Sequence, residues 1–492
     1  MTVTSSGTRG LQLSTITDET RLALSTLVER TVGMRTRTVR LGVTGLARAG
    51  KTVFISALVH NLIHGGRLPL FKAYSSGRVT GAGLEPQPDD AVPRFDYEQH
   101  VKALVEERIW PDSTRQISEL RLTIAFESAS FLGRTLGSGR LHLDIVDYPG
   151  EWLLDLPLLG KDYAAWSADT LAVARKEGGP GDATEWLARL AATDPAGPAD
   201  EGAARALAAS FTAWLRAVRA DQGSLSTLPP GRFLMPGDLD GSPALTFAPL
   251  DLGDGRIAAG SLAAMMARRY ESYKDAVVRP FFRDHFARLD RQIVLVDVLE
   301  PLNAGHEAVV GLEAALADIL GAFRVGRSGW LSSLVTHRID RILFAATKAD
   351  HLHHRDHDRL EAILARIVER AIARARFAGA TIDVLALASV RATREGTVTV
   401  RGERLPSIIG TPLPGERVNG EMFDGQTEIA MFPGDLPADP EAVLRPDAGP
   451  TALRFVRFRP PRLERTAEGM TLSLPHIRLD RALEFLVGDR LE

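Results

Sequence analysis

Cysteine is missing altogether from this 492-residue chain, which rules out disulfides, thiolate nucleophiles and sulfur-based zinc sites and suits a reducing cytoplasm. Long apolar runs are missing too. Nowhere does the sequence hold the roughly 18 consecutive apolar residues that a membrane-spanning helix needs, and its first forty residues carry no basic segment followed by an apolar stretch and a small-residue cleavage site. Charge of one sign is not concentrated anywhere. With a formal net charge of −3, nothing in the balance asks for nucleic acid or an anionic membrane as partner. Lysine is scarce: Lys51, Lys72, Lys102, Lys161, Lys176, Lys274 and Lys348 are the only seven among 59 basic residues. Each survivor therefore raises the question of what a compact ammonium does there that a planar guanidinium cannot.

What is present is 45% hydrophobic content, enough for a sizeable core and about three structural units. Six runs read as strands: 38–45, 119–126, 141–147, 292–299, 341–348 and 382–389. Helical patterns lie between them, so the fold class is α/β with a largely parallel sheet. About 140 residues separate the third run from the fourth, far beyond ordinary connection lengths. Ala/Leu/Arg-rich stretches fill that interval at helical spacing, which predicts a helical insertion over 151–288. After the sixth run, 394–475 alternates short β-type runs with Gly and Pro and predicts hairpins, and 476–492 closes with a helix. The core would then occupy 36–150 and 289–393. The Gly/Pro-rich 65–96 reads as a long loop, and 18–32 as an amphipathic helix for packing on the core or docking on a partner or membrane surface.

Gly45 to Thr52, GLARAGKT, fits G-x-x-x-x-G-K-[ST] between a strand and a helix. A phosphate chain needs converging backbone N–H donors, a helix N-terminus, one compact cation and a hydroxyl for magnesium. Gly45, Arg48, Ala49, Gly50, Lys51, Thr52 and Val53 can supply them, with Lys51 on the β- and γ-phosphates and Thr52 on Mg²⁺. An arginine at 51 would be longer, flat and directional where the loop encloses a point charge. The third strand ends in DIVDYPGEW, where Asp147 can hold magnesium through a water and the Gly150 N–H can sense a γ-phosphate. The fifth ends in ATKADHL: Asp350 can accept from guanine N1–H and N2–H₂, the stem of Lys348 can lie along the base, and His351 is placed to touch the nucleotide. Adenine presents the opposite edge. In LASVRAT at the end of the sixth strand, Ser389, Val390 and Arg391 stand where a short backbone loop would meet guanine O6.

These pieces in this order resemble the translation-factor class of P-loop GTPases. Together with RLPLF, WPDST, SELRL and DYPGEWLLDLPLL, they are similar to the YcjX family of bacterial stress-associated proteins from about Arg37 onward. The resemblance implies a Ras-like P-loop core with a six-stranded mostly parallel sheet, GTP or GDP with Mg²⁺ as ligands, and a Mg-dependent molecular switch that hydrolyses GTP. It places a switch threonine at Thr114, as metal ligand and catalytic group beside Lys51; Arg115 and Arg108, both near it, are candidates for a catalytic arginine in cis or equally for surface charges. Where such enzymes carry a water-positioning glutamine this chain has Glu151, whose carboxylate would repel a γ-phosphate, so intrinsic hydrolysis should be slow. Position 347 is threonine rather than the commoner asparagine, and its hydroxyl is expected to bond to the P-loop.

Two other readings stand beside the switch: a GDP-holding scaffold or partner-binding protein with negligible turnover, favoured by Glu151, and an ATP-dependent enzyme, which needs TKAD to be accidental. The expected partners are a guanine nucleotide and a protein effector or regulator, membrane-associated as an option, with no nucleic acid. The expected location is the cytoplasm, with the periphery of the inner membrane as an alternative. HLHHRDH (351–357) offers a histidine cluster, but neighbouring imidazoles at a helix start usually face apart, which argues against a metal. RFVRFRPPRLER (454–465) reads as a strand with an arginine-rich solvent face, and Trp110 and Trp152 as core anchors.

Overall fold

The computed structural model describes residues 36–492 apart from 46–47, 113–115, 130–138, 177–181, 221–227, 237–238, 240, 254–256, 323–338, 370–371, 374–378, 401, 419, 448–452, 455 and 464–472. The expected helix at 18–32 lies outside the described residues.

Seven strands, not six, build the central sheet: β1 (Thr36–Gly45), β2 (Val79–Glu85), β3 (Ser118–Phe126), β4 (Gly139–Asp147), β5 (Arg291–Val296), β6 (Arg341–Ala346) and β7 (Thr381–Ala386), in the order β2-β3-β4-β1-β5-β6-β7. The five from β4 to β7 run parallel, while β3 is antiparallel to β4 and β2 to β3. The added strand β2 corrects the reading of 65–96 as one long loop. It is a half-exposed edge strand with a register shift between Val79 and Gly81, so it lacks the period-2 apolar signal by which a half-buried strand is recognised. The fourth expected run also stops sooner, at Val296, and gives way to a short helix from Leu299.

One face of the sheet buries α1 (Lys51–Ile63) together with Leu479, Leu483, Leu486 and Val487 of the helix Leu479–Val487. The other face packs against helices His306–Ala322 and His357–Ile367. Between β4 and β5 the chain forms a helical body with helices Tyr163–Ala174, Thr184–Ala191, Glu201–Ala220 and Leu262–Tyr273. That body has its own aromatic interior: Trp166 stacks on Tyr270 with ring centroids 5.0 Å apart, and Trp186 on Trp214 at 4.9 Å. After β7, β8 (Arg394–Val400) and β9 (Glu403–Gly410) form the expected hairpin, joined by the strand Ile429–Met431 into a separate three-stranded sheet. No helix among the described residues is long and apolar enough to cross a membrane.

Candidate nucleotide site

The loop after β1 owes its shape to two glycines used in different ways. A Cβ on Gly45 would sit 2.6 Å from the Leu295 carbonyl oxygen on β5, so close strand approach demands glycine there. At Gly50 a Cβ would meet nothing; what asks for glycine is the left-handed backbone, φ 84° and ψ 29°. Arg48 also has positive φ, 64°, a conformation that costs a non-glycine residue about 1 kcal/mol and is held only where its surroundings insist. The turn delivers Lys51 and Thr52, both buried, to the first turn of α1, where backbone N–H groups lack partners within the helix.

This loop forms one wall of a cavity of about 390 Å³. Arg48 to Val53 line it from β1 and α1, Thr347, Lys348, Asp350 and His351 from the end of β6, and Ala388 to Val390 from the end of β7. The three motifs, separated by some 300 residues of chain, converge at the carboxyl ends of parallel strands, the usual place for ligands in open α/β sheets. Asp350 is buried; its Oδ2 accepts from Ala392 N–H at 2.8 Å, which fixes the carboxylate and leaves Oδ1 lone pairs for a ligand. Its main-chain carbonyl accepts from the Thr393 hydroxyl at 2.5 Å. His351 lies edge-on to Phe458, with ring centroids 5.6 Å apart, and burial pulls its pKa below the ordinary imidazole value, favouring the neutral ring.

One expected contact is different, and two neighbouring cations have partners the sequence did not announce. The Thr347 hydroxyl donates to the Val296 carbonyl on β5 at 3.3 Å, not to the P-loop, because strand pairing brings that carbonyl nearest. The Lys348 ammonium is drawn to Asp297. The Arg391 guanidinium leaves the cavity altogether: Nε donates to the Thr393 carbonyl at 2.9 Å and an Nη lies 3.6 Å from Glu395.

Asp147 ends β4, fully buried and in register with Val43 on β1 and Ser118 on β3. Gly150 opens a 3₁₀ turn, Gly150–Gly160, that runs into the helical body. Glu151 is buried beside Gly231, whose Cβ, were there one, would fall 2.0 Å from the Glu151 carbonyl oxygen. Asp147, Gly150 and Glu151 are not among the residues that line the cavity. Thr114 and Arg115 lie outside the described residues. Arg108 donates from Nε to the Pro460 carbonyl at 2.9 Å, away from the cavity.

Seven lining residues were not among the expected site residues: Trp110, Pro111, Asp112, Ala388, Leu413, Arg457 and Phe458. The Asp112 carbonyl accepts from the Thr52 hydroxyl at 3.4 Å, and Trp110 donates its indole N–H to the Phe458 carbonyl at 2.6 Å. Trp110 thus packs against the core of the sheet and also walls the cavity, whereas Trp152 is buried, with the Arg232 guanidinium 3.2 Å above its ring. The described residues of 454–463 form no strand either. They pair at an isolated bridge between Phe458 and Pro412, and Arg457 is held by Glu416 at 2.6 Å. Alternation of Arg and Phe was its one visible signal.

The donor set also bears on a cation. A threonine hydroxyl at 52 and a carboxylate at 147 are hard oxygen ligands of the kind Mg²⁺ prefers, completed by phosphate and water. With a cationic loop at one end of the cavity and a paired-acceptor carboxylate at the other, the site is chemically matched to a polyphosphate carrying a base with adjacent N–H donors.

A family model described as YcjX-like family, DUF463, matches residues 39–491. The chain is 39% identical over 481 residues to "Ras-like GTPase YcjX" of Escherichia coli (strain K12), covering 95% of this chain and 98% of that protein. It is 35% identical over 479 residues to "Ras-like GTPase YcjX" of Shewanella oneidensis, covering 93% and 95%.

Proposed function

Since the chain belongs to the YcjX-like family, we propose that it is a GTPase whose guanine nucleotide occupies the cavity between the P-loop and the end of β6. The observation that carries this reading is that Lys51 and Asp350 line the same 390 Å³ space. Lys51 and the loop's amides neutralise the phosphates. Asp350 selects guanine, with the backbone of Ser389 and Val390 closing on the base. Thr52, and Asp147 through a water, would hold Mg²⁺, which would supply neutralisation of the charge developing on the phosphate oxygens. The relatives' printed name, a Ras-like GTPase, agrees with this assignment.

Beyond that, the protein acts as a switch in a bacterial stress response, in which Thr114 and Gly150 couple the γ-phosphate to loop position and hydrolysis is slow without a partner. The burial of Glu151 against Gly231 favours slow turnover and equally supports a second reading, a GDP-holding scaffold. Titration of purified protein with fluorescent guanine and adenine nucleotides in Mg²⁺ tests the assignment. Selective guanine binding supports it, and equal affinity for both bases overturns the role of Asp350. Phosphate release with and without cell extract separates switch from scaffold.

A further inference from the structure

Just past the base-recognition motif, the chain brings together three ligating side chains that nucleotide binding does not use. His353 has an extended backbone, φ −73° and ψ 150°, and His354 opens a 3₁₀ turn. This change of conformation between neighbours turns both rings to one side, with centroids 4.2 Å apart, unlike the divergent rings expected of a regular helix start. Glu395, on β8 of the small sheet, meets them. Its Oε2 lies 2.8 Å from His354 Nδ1 and 4.0 Å from His353 Nε2, and one ligand atom from each of the three residues falls within 4.8 Å of the others.

The carboxylate is aimed by a second set of contacts. Oε1 accepts from the His354 main-chain N–H at 3.2 Å and faces Arg391 at 3.6 Å, which leaves Oε2 to the imidazoles. His353 is 8% exposed and its Nδ1 has no hydrogen-bond partner. Two imidazoles and a carboxylate are the ligand types of a borderline ion such as zinc rather than of magnesium. Ligand atoms around such an ion stand about 3.3 Å apart, so closing the set requires Glu395 Oε2 to move about 0.7 Å toward His353 Nε2, from 4.0 Å, and His354, whose side chain is 62% exposed, to rotate with it.

We propose that His353, His354 and Glu395 form a transition-metal site, three protein ligands with one position open to water, that ties the segment following Asp350 to the β8–β9 sheet. The position is distinct from the Thr52 and Asp147 oxygens assigned above to Mg²⁺.

Cobalt(II) is the probe. Titrating the full chain with Co²⁺ in excess Mg²⁺ should give saturable visible d–d bands at one equivalent, displaced by Zn²⁺. Glu395→Gln and His354→Ala, both at partly exposed side chains, should each weaken binding at least about tenfold, since loss of a ligand costs no less than the 10–100-fold typical of losing an outer-shell partner. Circular dichroism confirms that each variant folds, and either folded variant decides the matter. Bands that never saturate, or that persist unchanged in a folded variant, overturn the site.

Discussion

In the proposed reading a single carboxylate, Asp350, selects the base. Asp350 is fixed through Oδ2 by the Ala392 amide, so replacing it with asparagine keeps the size but puts an amide donor where guanine offers donors of its own. D350N should lose roughly 10- to 150-fold in guanine nucleotide affinity, the worth of about 1.5–3 kcal/mol in charge-assisted hydrogen bonds, and should gain affinity for xanthine nucleotides, whose C2 carbonyl accepts. Equilibrium titration with fluorescent analogues reads both changes. At the other end of the cavity K51A removes the buried ammonium and should weaken triphosphate binding by a similar factor. K51R should not restore it, because a flat guanidinium does not fit a loop built around a point charge. These two positions were legible in the sequence because each belongs to a contiguous signature. Phe458 and Arg457 were not, because they enter the cavity only after the chain has passed through another sheet, and no local spacing announces that return.

Two elements meet at Asp155. The 3₁₀ turn that follows Gly150 presents its carboxylate to Gly231 N–H at 2.7 Å and to the Tyr273 hydroxyl at 2.6 Å, and so joins the turn to the helical body. Burial raises the pKa of Asp155 to about 6 against its hydrogen bonds, which pull the other way. Because this folded value exceeds the ordinary 3.8, the group's contribution to stability is full below pH 4 and is lost as pH rises through about 6. The span of roughly two units corresponds to about 3 kcal/mol at most. Urea unfolding between pH 4 and 7 should therefore show a decline with rising pH that D155N flattens. The joint between Trp110 and the Phe458 carbonyl is simpler: W110F should cost about 1 kcal/mol, seen as a lower urea midpoint. At this scale the sequence announced every strand with a strong apolar run and missed β2, whose Gly81 and Gly83 at a half-exposed edge give no pattern to read. The helical body was legible from its spacing, but the ring stacking that holds it together was not.

Taken whole, the molecule has separate interiors, and four tryptophans, Trp152, Trp166, Trp186 and Trp214, all lie in that of the helical body. Phe247 is fully buried there against Trp166, Phe233, Tyr270 and Tyr273, so F247A should remove about 3–5 kcal/mol and lower the midpoint followed by tryptophan fluorescence. Guanine nucleotide at about 100 times its Kd should raise the stability of the sheet by about 2.7 kcal/mol, an increase that adenine nucleotide does not match. The sheet itself is closed by residues far downstream. Asn61 of α1 exchanges hydrogen bonds with the Leu474 main chain at 2.8 and 3.0 Å, and the fully buried Arg291 on β5 is held by Asp489 at 2.9 Å. A ribosome must therefore add more than four hundred residues after α1 before Asn61 finds its partner, and until then the face of the sheet that the helix Leu479–Val487 covers stays open on the nascent chain. Synthesis of this protein is thus a period of exposure, during which a chaperone has more to protect than in a domain whose contacts are local.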